Sequence, residues 1–155
     1  MTGSSIIVDV SSVKVRVGGP ATGNLCFLVD GYEFPEHGWN DSVVVVLSWL
    51  AAALVLLFRG ASTRESVNFM DGPYSIEISG PSSGMLWFQP LESRKAQDGI
   101  LGSAPAHEFA RSLISQARDV LSACREQNWW SSDAAALESS LLSLEQECER
   151  AFPLS

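Results

Sequence analysis

The chain has 155 residues, 46% of them apolar and 18% charged, and a formal charge of −8 at pH 7. That length suits a single domain, residues 1–155, with a real core, and that composition excludes disorder as a description of the whole. The acidic balance sets aside nucleic acid and anionic membrane surfaces as partners, and it favours a basic protein surface.

In chain order, residues 5–17 open with Ile6, Ile7 and Val8 and then alternate, Val13, Val15 and Val17 against Lys14 and Arg16. This predicts a half-buried strand. The glycine-rich stretch 18–23 connects it to a second, more apolar strand from Leu25 to Val29. Asp30-Gly31 turns the chain, and Tyr32-Glu33-Phe34-Pro35 leads out of the sheet. The run from Val43 to Phe58 is interrupted only by Ser48. A bilayer-spanning helix needs about 17–25 residues, so this segment falls short, and it is too apolar around its circumference to lie on a surface. It predicts a helix over 41–59 enclosed by the rest of the domain. Asn40 or Asp41 is expected to cap it, and Arg59 and Gly60 to end it.

Three more strands follow. Ser66 to Phe69 and Tyr74 to Ser79 alternate around Asp71-Gly72, which reads as a tight hairpin turn. Met85 to Gln89 completes a meander, with 92–104 expected as loop. Two helices close the chain over 105–152. Phe109, Leu113, Ala117, Val120, Leu121 and Cys124 form the stripe of the first, and Leu137, Leu141, Leu144, Cys148 and Phe152 the seam of the second. The expected fold is therefore α+β: an antiparallel sheet of about five strands on a buried central helix (5–91), then a helical hairpin, in the order β-β-α-β-β-β-α-α.

Chemistry is sparse. The 18–23 loop lacks the G-K-[ST] of a phosphate cradle and no helix follows it. Asp30, Glu33, Glu36 and His37 form the densest polar cluster, but their spacing matches no metal motif and Pro35 makes the segment irregular. With Tyr32 and Trp39 interleaved, that loop is instead a candidate partner-binding surface. Trp129 and Trp130 at the helical corner cannot easily both be buried, so Trp130 joins the candidates as an interface anchor. Trp49 and Trp87 are expected in the core. No G-x-S-x-G elbow is present, and no cysteine has a histidine nearby in sequence to activate it. The reading is non-enzymatic, with no catalytic, cofactor or metal residues. Cys26, Cys124 and Cys148 show no pairing pattern, and Cys124 and Cys148 would lie roughly 15 Å apart along a hairpin, which suits reduced thiols in a cytoplasmic protein. Residues 1–10 show no secretory signal pattern.

Gly31-Tyr32-Glu33-Phe34-Pro35, then Trp39-Asn40-Asp41 opening the apolar helix, then Phe69-Met70-Asp71-Gly72-Pro73-Tyr74 form a pattern over residues 25–90. It resembles the α+β immunity proteins found beside bacterial polymorphic or contact-dependent toxins. The resemblance implies an inhibitor that binds and blocks a cognate, often basic, toxin in the producing cell. It transfers no binding residue. Two other functions fit the same residues: a small-ligand or metal-binding domain using the 30–37 loop, and a homo-oligomer, such as a homodimer, joined through the last helix or a sheet edge.

Overall fold

The computed structural model describes residues 3–97 and 99–152. Its strands are β1 Ser5–Lys14, β2 Thr22–Val29, β3 Tyr32–Phe34, β4 Asn40–Asp41, β5 Arg64–Asn68, β6 Tyr74–Ser82, β7 Met85–Glu92, β8 Lys95–Ala96 and β9 Gly102–Pro105. Helix α1, Val43–Arg59, lies between β4 and β5, and α2, Ala106–Glu126, and α3, Ser132–Ala151, close the chain. This is the α+β architecture the patterning predicts, with antiparallel strands and a terminal helical pair.

The strands form two sheets rather than one. The first runs β1-β2-β3 with β4 also on β2; the second runs β5-β6-β7-β8 with β9 also on β7. Three local readings change with it. Asp30 and Gly31 both adopt left-handed backbone, the combination that closes a tight hairpin, so Tyr32–Phe34 folds back onto β2 instead of leaving the sheet. Residues 92–104 contribute β8 and β9. Asp71-Gly72 is not a two-residue turn: the hairpin closes further out, where the Phe69 N–H donates to the Tyr74 carbonyl at 3.0 Å.

Phe27 of β2 joins the layers. Its ring stacks parallel to Phe109 of α2 at 6.5 Å, meets Phe69 edge-on at 6.0 Å, and lies 6.3 Å from Phe88 of β7. Edge-on and offset ring pairs of this kind contribute beyond the area they bury. Close approach matters too. A Cβ on Gly102 of β9 would come 2.7 Å from Val29 Cγ1 of β2, so any larger residue there must displace the Val29 and Ser4 side chains.

Asp41 is 4% exposed and is not a helix cap. The N-cap is Ser42, whose side chain caps nothing. Asp41 instead accepts four hydrogen bonds: from Trp39 Nε1 (2.9 Å), Ser42 N (2.7 Å), Met70 N (3.2 Å) and Asp71 N (3.2 Å). A buried carboxylate needs such donors to offset its lost hydration. Here they fasten the β5–β6 loop of one sheet to the last strand of the other. Gly60, in left-handed conformation, ends α1 with its N–H bonded to Leu57 O, as the Arg59-Gly60 stop predicts.

Helix α1 packs against α3, α2, β2, β5 and β6. Leu50, Leu47 and Leu54 are fully buried, so the helix is an interior element, as its hydropathy requires. It is not enclosed on every side. Val45, Trp49, Ala52 and Leu56 recur at the spacing of one helical face, and this face is open: Val45 is half-buried, Ala52 and Leu56 are exposed, and Trp49 is 42% exposed. Trp49 is therefore not core. Trp87 is not either. It pairs with Ser79, which pairs with Arg64, so the pleat turns it to the outer face of the second sheet. Among the described residues, no helix is long and apolar enough to cross a membrane.

The C-terminal pair is held by ion pairs along its seam, Arg118 to Glu145 and Arg125 to Glu138. Glu147 of α3 accepts from Arg59 of α1 (2.9 Å) and from Arg150 (2.8 Å). These two guanidinium hydrogen bonds hold its carboxyl below its ordinary value by favouring the charged form. The same Arg150 donates to Phe58 O, so α3 is tied to the end of α1 by charge as well as packing.

Candidate functional site

A cleft of about 800 Å³ opens where the β1–β2 connection meets the corner between α2 and α3. It is lined on one side by Arg16, Val17 and Gly19, and on the other by Asn128, Trp130 and Asp133. Two side chains from the corner build it. Trp129 Nε1 donates to Gly19 O at 3.1 Å, and Gln127 Nε2 donates to Val13 O at 3.0 Å. The glycine loop is thus a connection, as read from the sequence, and its ordered carbonyl is what the Trp corner holds.

The two tryptophans divide as expected. Trp129 is partly buried and packs on the core. Trp130 is 41% exposed, with the Arg125 guanidinium 4.0 Å from its ring centroid. A stacked guanidinium over an indole favours an ordered side chain by cation–π attraction. The Arg125–Glu138 ion pair fixes the other end of that stack. Trp130 therefore stands at the cleft wall as a pre-positioned aromatic surface. Arg16 and Asp133 give the lining one charge of each sign, so the recess itself is electrically balanced within an acidic chain.

The 30–37 loop is a separate surface. Asp30, Tyr32, Glu36 and His37 are exposed and Glu33 is half-buried. His37 Nδ1 lies 2.9 Å from Glu33 Oε2, a solvent-facing pair of small energetic weight. Trp39 belongs to the interior scaffold: its indole donates to Asp41 and meets Phe69 (6.4 Å) and Tyr74 (5.3 Å) edge-on. Of the candidate residues on this loop, Trp39 has the least to offer a partner. Among the described residues, no group of three or more His, Cys, Asp or Glu side chains is placed to hold a metal ion. His107 is half-buried, with its ring 5.4 Å from Phe152.

Cys26 and His37 line one small recess of about 110 Å³, a juxtaposition the sequence spacing did not show. Burial, and secondarily the charge of Glu33, pushes the Cys26 thiol up, which keeps it protonated and a poor nucleophile. Burial likewise raises Cys124, and pushes Cys148 up to about 11. All three cysteines are free and buried.

No protein-family model matches the chain, and no curated protein or solved structure matches it either.

Proposed function

We propose that the chain is a non-enzymatic protein-binding module, most specifically an immunity-type inhibitor that occludes a cognate bacterial toxin in the cytoplasm of the producing cell. The observation that supports a binding role is Trp130: an exposed indole, braced by Arg125, at the wall of a recess large enough to receive a side chain or turn of another protein. Aromatic anchors beside such recesses dominate binding energies where they occur. The net charge of −8 would hasten encounter with a basic partner and make that encounter weaken with salt. The loop carrying Asp30, Tyr32, Glu33, Glu36 and His37 is a second surface, this one acidic, available to the same partner.

The test uses the protein captured by the wild-type chain from its native cell, identified, purified and titrated against variants. Trp130→Ala is expected to weaken binding at least about thirty-fold, the equivalent of roughly 2 kcal/mol. Trp87→Ala, equally exposed but on the outer sheet face, is expected to bind as wild type does. Unchanged affinity of the Trp130 variant would remove the cleft from the account.

A further inference from the structure

We propose that the chain forms a two-fold homodimer by antiparallel pairing of β5 with β5 of a second copy, which also brings the two open faces of α1 together. This goes beyond the cleft and involves none of its residues.

The edge strands β1 and β5 are treated differently. β1 is paired on one side with β2, and its other side is occupied by α2: Gln116 accepts from Val8 N at 2.9 Å and donates to Ile6 O at 2.8 Å. Such capping is how proteins protect a sheet edge. Among the described residues β5 pairs only with β6. Thr63 O accepts from Gly80 N, and Phe69 N donates to Tyr74 O, so odd-numbered residues face the hairpin. Arg64 faces the other way, its N–H and C=O both bonded to Ser62 Oγ. Antiparallel alternation then directs the N–H and C=O of Ser66 and Asn68 outward, and among the described residues no side chain bonds to them.

In the proposed dimer the open face of α1 lies beside this edge. β5 runs back along the helix, because Thr63 follows shortly after Arg59 and Met70 and Asp71 are bonded to Asp41 at the other end. On the far flank, Phe58 meets Phe152 at 5.5 Å and Arg59 meets Glu147, which places α3 there. In the proposed dimer Val45, Trp49, Ala52 and Leu56 occupy the space between α3 and β5, both of which pack on α1. Ser66 and Ala52 each lie about 10 Å along their own element from the α1–β5 connection, so they are level.

A second copy fits this surface in register. A two-fold axis at Ser66 pairs Ser66 with its own equivalent, an outward-bonding position as an antiparallel pair requires. Arg64 then opposes Asn68, its N–H and C=O exchanging the Ser62 hydroxyl for the backbone of the second copy, and Glu65 opposes Val67, so no like charges meet directly. Spacing agrees as well. Helix α1 covers β5 and β6; strands about 4.8 Å apart put two such helices roughly 10 Å apart, the ordinary helix-packing distance. The small side chain of Ala52 sits nearest the axis, with Trp49 and Leu56 on either side. About ten residues a side is well below the roughly 20–30 of a standard interface, which fits a weak, micromolar dimer, and −8 on each copy is self-repelling. Added salt should therefore tighten the dimer, the opposite of its effect on a basic partner.

Sedimentation equilibrium across the micromolar range, at low and high salt, tests this on the full chain. Wild type is expected to dimerise, more tightly at high salt, with the Ser66 and Asn68 amides exchanging more slowly as concentration rises. Ser66→Pro removes only an outward N–H, and Trp49→Glu charges only the open face. Each is expected to raise the dissociation constant about tenfold or more while circular dichroism and the melting temperature of the monomer stay near wild type. Trp130→Ala is expected to dimerise normally, which separates this inference from the cleft. A wild-type chain monomeric at both salts, a dimer that both variants leave intact, or an edge that takes up only a strand of a different protein would each overturn it.

Discussion

Replacing Asp41 by Ala is expected to lower folding stability by about 4 kcal/mol, from charged hydrogen bonds worth roughly 1.5–3 kcal/mol each that do not add in full. Four donors converge on this 4%-exposed carboxylate. Removal strands the Trp39 indole N–H in a partly buried site and frees the β5–β6 loop from β4. The Met70 and Asp71 amides lie in exposed residues and regain water, which keeps the loss below the simple sum. Asp41→Asn retains one acceptor oxygen and is expected to lose about half as much. Urea unfolding followed by circular dichroism measures both; a loss below about 1 kcal/mol for Asp41→Ala would show that the carboxylate is not a tie between the sheets.

Phe27→Ala is expected to cost about 3–5 kcal/mol, the range for emptying a large buried aromatic site. Phe27 is 1% exposed, and Phe69, Phe88 and Phe109 surround it from the second sheet and α2. Those neighbours sit on the β5–β6 connection, β7 and α2, so the site cannot collapse by moving one side chain. Phe27→Leu, which restores part of the volume, is expected to recover at least half of the loss, as read from the shift in denaturation midpoint. Equal losses for Ala and Leu would mean that ring geometry rather than filled volume stabilises the junction.

How much of this was legible in the sequence depended on how local the cause was. The α+β order, the buried helix and the terminal hairpin rest on periodicity, which a short window records. The division into two sheets does not, because strand partners are chosen over long separations. Asp41 sits where a cap belongs, but two of its donors, Met70 and Asp71, are 29 and 30 residues away. Trp49 looked like core because the open face of α1 is as apolar as its buried faces, and no polar stripe marks it. Trp87 lies in the uniformly apolar run Met85-Leu86-Trp87-Phe88, where alternation is hidden and only the pairing with Ser79 reveals which face it takes. The cleft was legible in halves: the glycine loop and the Trp129-Trp130 corner each stood out. Their union rests on a hydrogen bond spanning 110 positions.

Helix α1 is an interior helix with one face left open, and two adjacent alanines test this. Ala51 is fully buried and Ala52 exposed, while the three native cysteines are buried. Cysteine placed at each position in turn is reacted with a thiol reagent under native, dilute conditions. A thiol at 52 is expected to react near the rate of a free peptide, and one at 51 at a rate limited by unfolding. Equal protection of both, or equal reactivity of both, would contradict the claim.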